Sequence, residues 1–109
     1  YYNMNIKEIS VHTLKELTTK RKNFVLLDIR ESHEINKASI EPHLHIAMNT
    51  LPRRLSELNK DEPIYVLCHT GTRSWYATRF LQDAGFDASN IQGGIHAWSI
   101  EIDPSVPTY

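Results

Sequence analysis

Ile64-Tyr65-Val66-Leu67-Cys68-His69-Thr70-Gly71-Thr72-Arg73-Ser74 is the stretch that decides how this chain folds. Ile64 to Leu67 form a short apolar run, with the turn Asp61-Glu62-Pro63 before it and polar residues after it. That pattern predicts a strand buried on both faces, as in a parallel sheet. His69 to Arg73 read as a loop. Trp75, Ala77, Phe80, Leu81 and Ala84 then recur at helical spacing up to Gly85, which suits the C′ position of a helix. Strand, loop and helix in this order belong to an open α/β sheet, in which ligands bind beyond the carboxyl ends of the strands. Cys68 stands at such an end.

Working outward, Asn5 to Ile9 reads as a short edge strand. Ser10 is a good N-cap for a helix carrying Val11, Leu14 and Leu17. Phe24 to Ile29 is a second buried strand, Glu31 to Ile35 a helical turn, and His45 to Ala47 a third short strand. Asn49 is a candidate N-cap for a helix through Leu51, Leu55 and Leu58, with Pro52 tolerable in its first turn. Asp87 to Ile91 leads into the last strand, and Gly93-Gly94 turns into a brief helix with Ala97 and Trp98. Residues 1–4 and 100–109 are expected to be extended terminal segments, the latter punctuated by Pro104 and Pro107.

The chain has 109 residues, enough for one domain spanning 1–109 and too few for a second. Hydrophobic residues at 40 % and charged residues at 23 % give an ordinary globular mix that can form a core. A formal net charge of −1 with no run of like charges argues against nucleic acid as a partner. No stretch approaches the roughly 20 apolar residues of a membrane span, so no membrane partner is expected. Tyr1-Tyr2-Asn3-Met4 has no basic-then-apolar signal pattern, and Met4 is a candidate native start. A cytoplasmic location is the expectation. One cysteine rules out an internal disulfide and argues against a dithiol oxidoreductase, and a sulfur loaded on Cys68 would have to leave to an external acceptor.

A lone cysteine is commonly just a small buried hydrophobe. Its neighbours change that reading here. Gly71 lets the loop adopt positive φ, so that successive N–H groups can turn inward as an anion-binding nest. The helix that follows presents its positive N-terminal end, and Arg73 offers a full charge on a planar donor fork. All of these favour negative charge at the loop centre, where the thiolate of Cys68 would be the nucleophile. Thr70, Thr72 and Ser74 either donate hydroxyls to that site or simply cap the helix. His69 either tunes the thiolate and contacts substrate or faces solvent at the rim. Trp75 and Trp98 read as packing residues. His43 and His45 form a His-x-His pair without a third ligand, so no metal is expected, and no cofactor is called for.

Three segments together resemble the rhodanese family of sulfurtransferases. Cys68 to Ser74 is similar to the Cys-x-x-Gly-x-Arg-Ser loop of single-domain rhodaneses. Leu26-Leu27-Asp28-Ile29-Arg30-Glu31 resembles their Leu-Asp-Val-Arg-Glu segment, and Asn90 to Trp98 their Leu-x-Gly-Gly-x-x-x-Trp ending. The tail through Asp103-Pro104-Ser105-Val106-Pro107 to Tyr109 is more weakly similar to rhodanese domains fused to enzymes that activate sulfur-carrier proteins. One stretch departs from the family: where Gly-His-Ile-Pro-Gly-Ala is common, this chain reads Ala38-Ser39-Ile40-Glu41-Pro42-His43 and keeps only Ile40.

The resemblance implies a three-layer α/β fold with a central, mostly parallel five-stranded sheet and helices on both faces. It implies a thiosulfate sulfurtransferase-like enzyme in which Cys68 carries a persulfide. His69, Thr70, Gly71, Thr72, Arg73 and Ser74 would bind substrate and persulfide, and Asp28 and Arg30 would brace the loop. The implied partners are a small anionic donor, thiosulfate or a persulfide, and a thiol or sulfur-carrier acceptor. Two other readings stay open: a persulfide-carrier or interaction module with little thiosulfate turnover, and a Cys-dependent phosphatase or arsenate reductase. The second needs a longer loop, since Cys-based phosphatases set one more residue between Cys and Arg than the four found here.

Overall fold

Apolar alternation along two strands builds both layers of the core. In the computed structural model, which describes residues 5–109, β2 (Val25–Asp28) and β4 (Ile64–Leu67) pair side by side in the centre of the sheet. Leu27, Ile29, Ile64, Val66 and Cys68 point to one face, where they meet Leu51, Ala77, Leu81 and Phe86. Leu26 and Leu67 point to the other, against Val11, Leu14, Ile95 and Trp98. Alternation along a strand is what sends neighbours to opposite layers.

The sheet has five strands in the order β1-β5-β4-β2-β3, and all of its neighbours run parallel. β1 is Glu8–Ile9, β3 is Leu44–His45 and β5 is Ala88–Ile91. Three α-helices connect strands, α1 (Val11–Thr19), α2 (Ser32–Lys37) and α3 (Thr72–Asp83), and a fourth, α4 (Gly94–Glu101), follows β5. α3 covers one face of the sheet, while α1 and α4 cover the other. The α/β architecture is therefore the one the strand–loop–helix pattern predicts.

Several elements differ in detail. The cap of α1 does not: Ser10 stands at the expected N-cap, its hydroxyl accepting from the Thr13 amide. The helix expected from Asn49 through Leu58 is instead two short 3-10 helices, Met48–Arg53 and Leu55–Glu57. Pro52 lies inside the first and has no N–H to donate to an α-helical ladder. The edge strand β1 is two residues long rather than five. The second helical segment, read as a single turn, runs to Lys37. Ile100 and Glu101 complete α4 instead of joining an extended segment. The segment expected at residues 1–4, with the candidate start Met4, lies outside the described residues. None of the described helices is long and apolar enough to cross a membrane.

Candidate active site

Cys68 follows β4 directly, and the residue is 1 % exposed. Three groups converge on its sulfur. The amide of Gly71 donates at 3.1 Å, that of Ser74 at 3.4 Å, and the Ser74 hydroxyl lies at 3.2 Å. Ser74 is in the first turn of α3, where amides have no intrahelical acceptor, so the sulfur completes the helix end. Among the described residues the amides of 69, 70, 72 and 73 make no bond to Sγ itself, so the cradle is narrower than a nest of successive inward N–H groups.

Two glycines make this geometry possible. Gly71 has φ of 102°, and a Cβ there would come within 3.0 Å of the Gly93 amide. Gly94 has φ of 59°, and a Cβ there would sit 2.5 Å from the carbonyl oxygens of both Cys68 and His69. That close approach lets Ile95 N donate to Cys68 O and His96 N donate to His69 O, both at 3.0 Å. The first turn of α4 thus takes up the carbonyls of the loop's first two residues and fixes the peptide planes that lead into the sulfur site.

Ser74 and Asn90 extend the site inward. Asn90 is buried in β5, and its amide nitrogen donates to Glu8 Oε2 and to the Gly71 carbonyl. Those bonds fix its orientation, so its Oδ1 accepts from the Ser74 hydroxyl. A hydroxyl has one proton. While it serves Asn90, the Ser74 oxygen can accept only from a Cys68 S–H. When it serves a sulfur anion, Asn90 Oδ1 is released. The state of the sulfur is therefore coupled to a buried hydrogen-bond chain.

Arg73 is held. Its two terminal nitrogens donate to the two oxygens of Glu34 at 2.7 and 2.8 Å. The Arg73 guanidinium, with help from the Glu31 backbone and Tyr109 and against burial, pulls the Glu34 carboxyl down to about 2. Glu34 in turn raises the Arg73 pKa. A sequence reading that gives Arg73 a full positive charge for substrate missed this partner, which α2 brings from 39 residues away. Glu34 carried a local signal in the capping box with Glu31, but not one for its partner.

Asp28 and Arg30 form a fully buried pair, with Arg30 Nε donating to both Asp28 oxygens at 3.0 and 3.1 Å and NH2 to Oδ2 at 2.7 Å. NH2 also donates to the Ala38 carbonyl. Burial works against the Arg30 charge, but the bonds to Asp28 and Tyr109 outweigh it and raise the pKa. Arg30 NH1 donates to the Tyr109 hydroxyl, which donates to Glu34 Oε2. A continuous polar chain, Asp28–Arg30–Tyr109–Glu34–Arg73, therefore joins the end of β2 to the start of α3.

The remaining residues sit around this frame. His69 is half-buried, stacked on Tyr109 at 4.0 Å with 9° between planes and edge-on to His96 at 6.0 Å, and among the described residues its buried Nε2 has no hydrogen-bond partner. Thr70 and Thr72 are exposed, and among the described residues neither hydroxyl reaches the sulfur. Trp98 packs in the core, and Trp75 lies edge-on to Tyr76. His43 and His45 turn to different acceptors, the carbonyls of Ile40 and Arg30. Among the described residues no cluster of three or more His, Cys, Asp or Glu could hold a metal.

With a cysteine held by helix-end amides beyond a parallel strand, the family assignment needs only the match along the chain. A family model described as "Rhodanese-like domain" matches residues 10–101. The chain belongs to the rhodanese-like domain family. Its sulfurtransferase relatives include a protein named "Sulfurtransferase" from Allochromatium vinosum, 33 % identical over 95 residues, covering 86 % of this chain and 89 % of that protein. YtwF of Bacillus subtilis is 36 % identical over 101 residues, covering 93 % of this chain and 98 % of its own. The crystal structure of a rhodanese-like domain protein from Staphylococcus aureus superposes with a TM-score of 0.84 at 32 % identity, covering 95 % of this chain and 99 % of that one. A rhodanese-like fold and membership of a sulfurtransferase family are thus fixed together.

Proposed function

We propose that this rhodanese-like domain moves a sulfane sulfur from an anionic donor to a thiophilic acceptor through a persulfide on Cys68. The observation that carries this reading is the convergence of the Gly71 and Ser74 amides on Sγ. Cys68 thiolate attacks the outer sulfur of thiosulfate. The S–S bond of thiosulfate breaks, sulfite leaves with its electron pair, and a Cys68 persulfide forms. An acceptor thiolate or carrier then attacks the outer sulfur and the Cys68 thiolate is released. Donors aimed at a sulfur anion stabilise both states, as an oxyanion hole does, at roughly 3 kcal/mol for a well-placed donor.

In this reading His69, Thr70, Gly71, Thr72, Arg73 and Ser74 frame the bound sulfur, and Asp28 with Arg30 braces the loop. A second reading draws on one observation. Glu34 neutralises Arg73, which weakens the pull on a free dianion, so a persulfide donor suits the site better than thiosulfate. A cytoplasmic setting fits a lone free thiol.

The test measures sulfite release from thiosulfate and sulfur transfer from a small-molecule persulfide, each to a thiol acceptor. Turnover with either donor that disappears in Cys68→Ser supports sulfur transfer, and the ratio of the two rates chooses the donor. Turnover that survives in Cys68→Ser, or hydrolysis of a phosphate ester in place of both, overturns it.

A further inference from the structure

We propose that Tyr109 is a positioning residue for the Cys68 loop, holding its two flanks by different atoms. The residue lies beyond the stretch matched by the family model, which ends at 101. Its ring lies flat on the imidazole of His69, the first residue after Cys68. Among the described residues His69 Nε2 has no hydrogen-bond partner, and the imidazole packs flat on Tyr109 and edge-on to His96. Its hydroxyl accepts from Arg30 NH1 at 2.8 Å and donates to Glu34 Oε2 at 2.9 Å, and Glu34 holds both terminal nitrogens of Arg73. One side chain therefore ties the start of the loop and the start of α3 to the fully buried Asp28–Arg30 pair.

The segment that delivers Tyr109 is itself fixed. Asp103 N donates to the Trp98 carbonyl, Val106 N to the Asp103 carbonyl, and the Asp103 carboxylate accepts from both the amide and the hydroxyl of Ser105. Val106 and Tyr109 pack against the core layer that contains Val11, Leu14 and Trp98. Pro104 and Pro107 restrict the chain between these anchors. The ring and the hydroxyl then have separable tasks. The ring restrains opening of the loop around Cys68, which is buried. The hydroxyl sets the carboxylate that aims Arg73, and so bears on an anionic donor. This second task rests on the sulfur-transfer reading; the first rests on geometry alone.

Two variants separate the tasks: Tyr109→Phe keeps the ring, and Tyr109→Leu keeps apolar bulk without a flat ring. The first readout is the rate of Cys68 alkylation by iodoacetamide at fixed pH, which reports loop opening and needs no sulfur transfer. We expect Tyr109→Leu to alkylate about fivefold faster than wild type, with Tyr109→Phe within about twofold of it, because a buried thiol reacts through local opening. His69→Ala should produce the same acceleration, and the double variant no more than either alone, the signature of a shared contact. The second readout is KM for the sulfur donor, expected to rise about threefold or more in both Tyr109 variants with kcat less affected. Unchanged alkylation in Tyr109→Leu, or full additivity with His69→Ala, overturns the ring's task. An unchanged donor KM in Tyr109→Phe overturns the hydroxyl's. Should Tyr109→Leu fail to fold, the His69→Ala rate decides the first arm, and a wild-type rate there overturns it. If wild type transfers no sulfur at all, the function is wrong while the alkylation arm still stands or falls on its own.

Discussion

At the scale of single residues, the site is a contest over one proton. Ser74 Oγ lies between a sulfur that gains from its hydrogen bond when anionic and an Asn90 oxygen that has no other donor among the described contacts. Removing the hydroxyl takes one donor from the sulfur anion and leaves Asn90 Oδ1 buried and unpaired. Ser74→Ala is therefore expected to slow sulfur transfer about tenfold and to cost about 1–2 kcal/mol of stability. Steady-state kinetics alongside denaturant unfolding would check both. Cys68→Ser removes the proposed nucleophile and should lower turnover by about a thousandfold or more with stability within about 1 kcal/mol of wild type. Cys68, Gly71 and Ser74 were legible in the sequence because they share one loop with a recognisable order. Glu34 and Tyr109 were not, because the Arg73 partner of Glu34 lies 39 residues away and the hydrogen-bond partners of Tyr109 lie 75 or more, and only the fold brings them together.

At the scale of elements, the fold delivers the loop by stacking two helix N-termini around it. α3 supplies an amide to the sulfur, and α4 takes up the carbonyls of Cys68 and His69. Gly94 is the contact point. Gly94→Ala forces a methyl group against two carbonyl oxygens at a positive φ, so it should destabilise by about 2–4 kcal/mol and reduce sulfur transfer together. Chemical denaturation and the transfer assay on the same preparation would show it, and a fully stable, fully active variant would exclude this role for α4. The strands at the sheet centre were readable as short continuous apolar runs, and β4 matched residue for residue. The segment 48–57 was misread as one α-helix because helical spacing of Leu51, Leu55 and Leu58 outweighed the missing donor at Pro52. The two-residue strands β1 and β3 carry too few residues to show a period at all.

Across the whole molecule, buried and half-buried charges link the sheet to the site. Arg30→Met would leave Asp28, fully buried, without its counter-charge, and should cost about 3–5 kcal/mol in an unfolding titration. The Glu34–Arg73 pair adds a pH dependence. Glu34 titrates at about 2 in the fold against 4.5 ordinarily, so its stabilisation is complete above pH 4.5 and is lost as pH falls towards 2. The Arg73 side chain is 39 % exposed, and solvent screening limits the effect to about 1 kcal/mol. Glu34→Gln should be less stable than wild type at pH 6, and the difference should vanish as pH approaches 2; parallel stability curves over that range would refute the pairing as its source.

The proposed function requires the Cys68 sulfur to accept another. Intact-mass measurement after incubation with thiosulfate, and in parallel with a small-molecule persulfide, tests that most directly. Wild type should gain the mass of one sulfur, removable by a reducing thiol, and Cys68→Ser should gain nothing from either donor. No added sulfur on wild type with both donors, or the same gain in Cys68→Ser, would contradict a Cys68 persulfide.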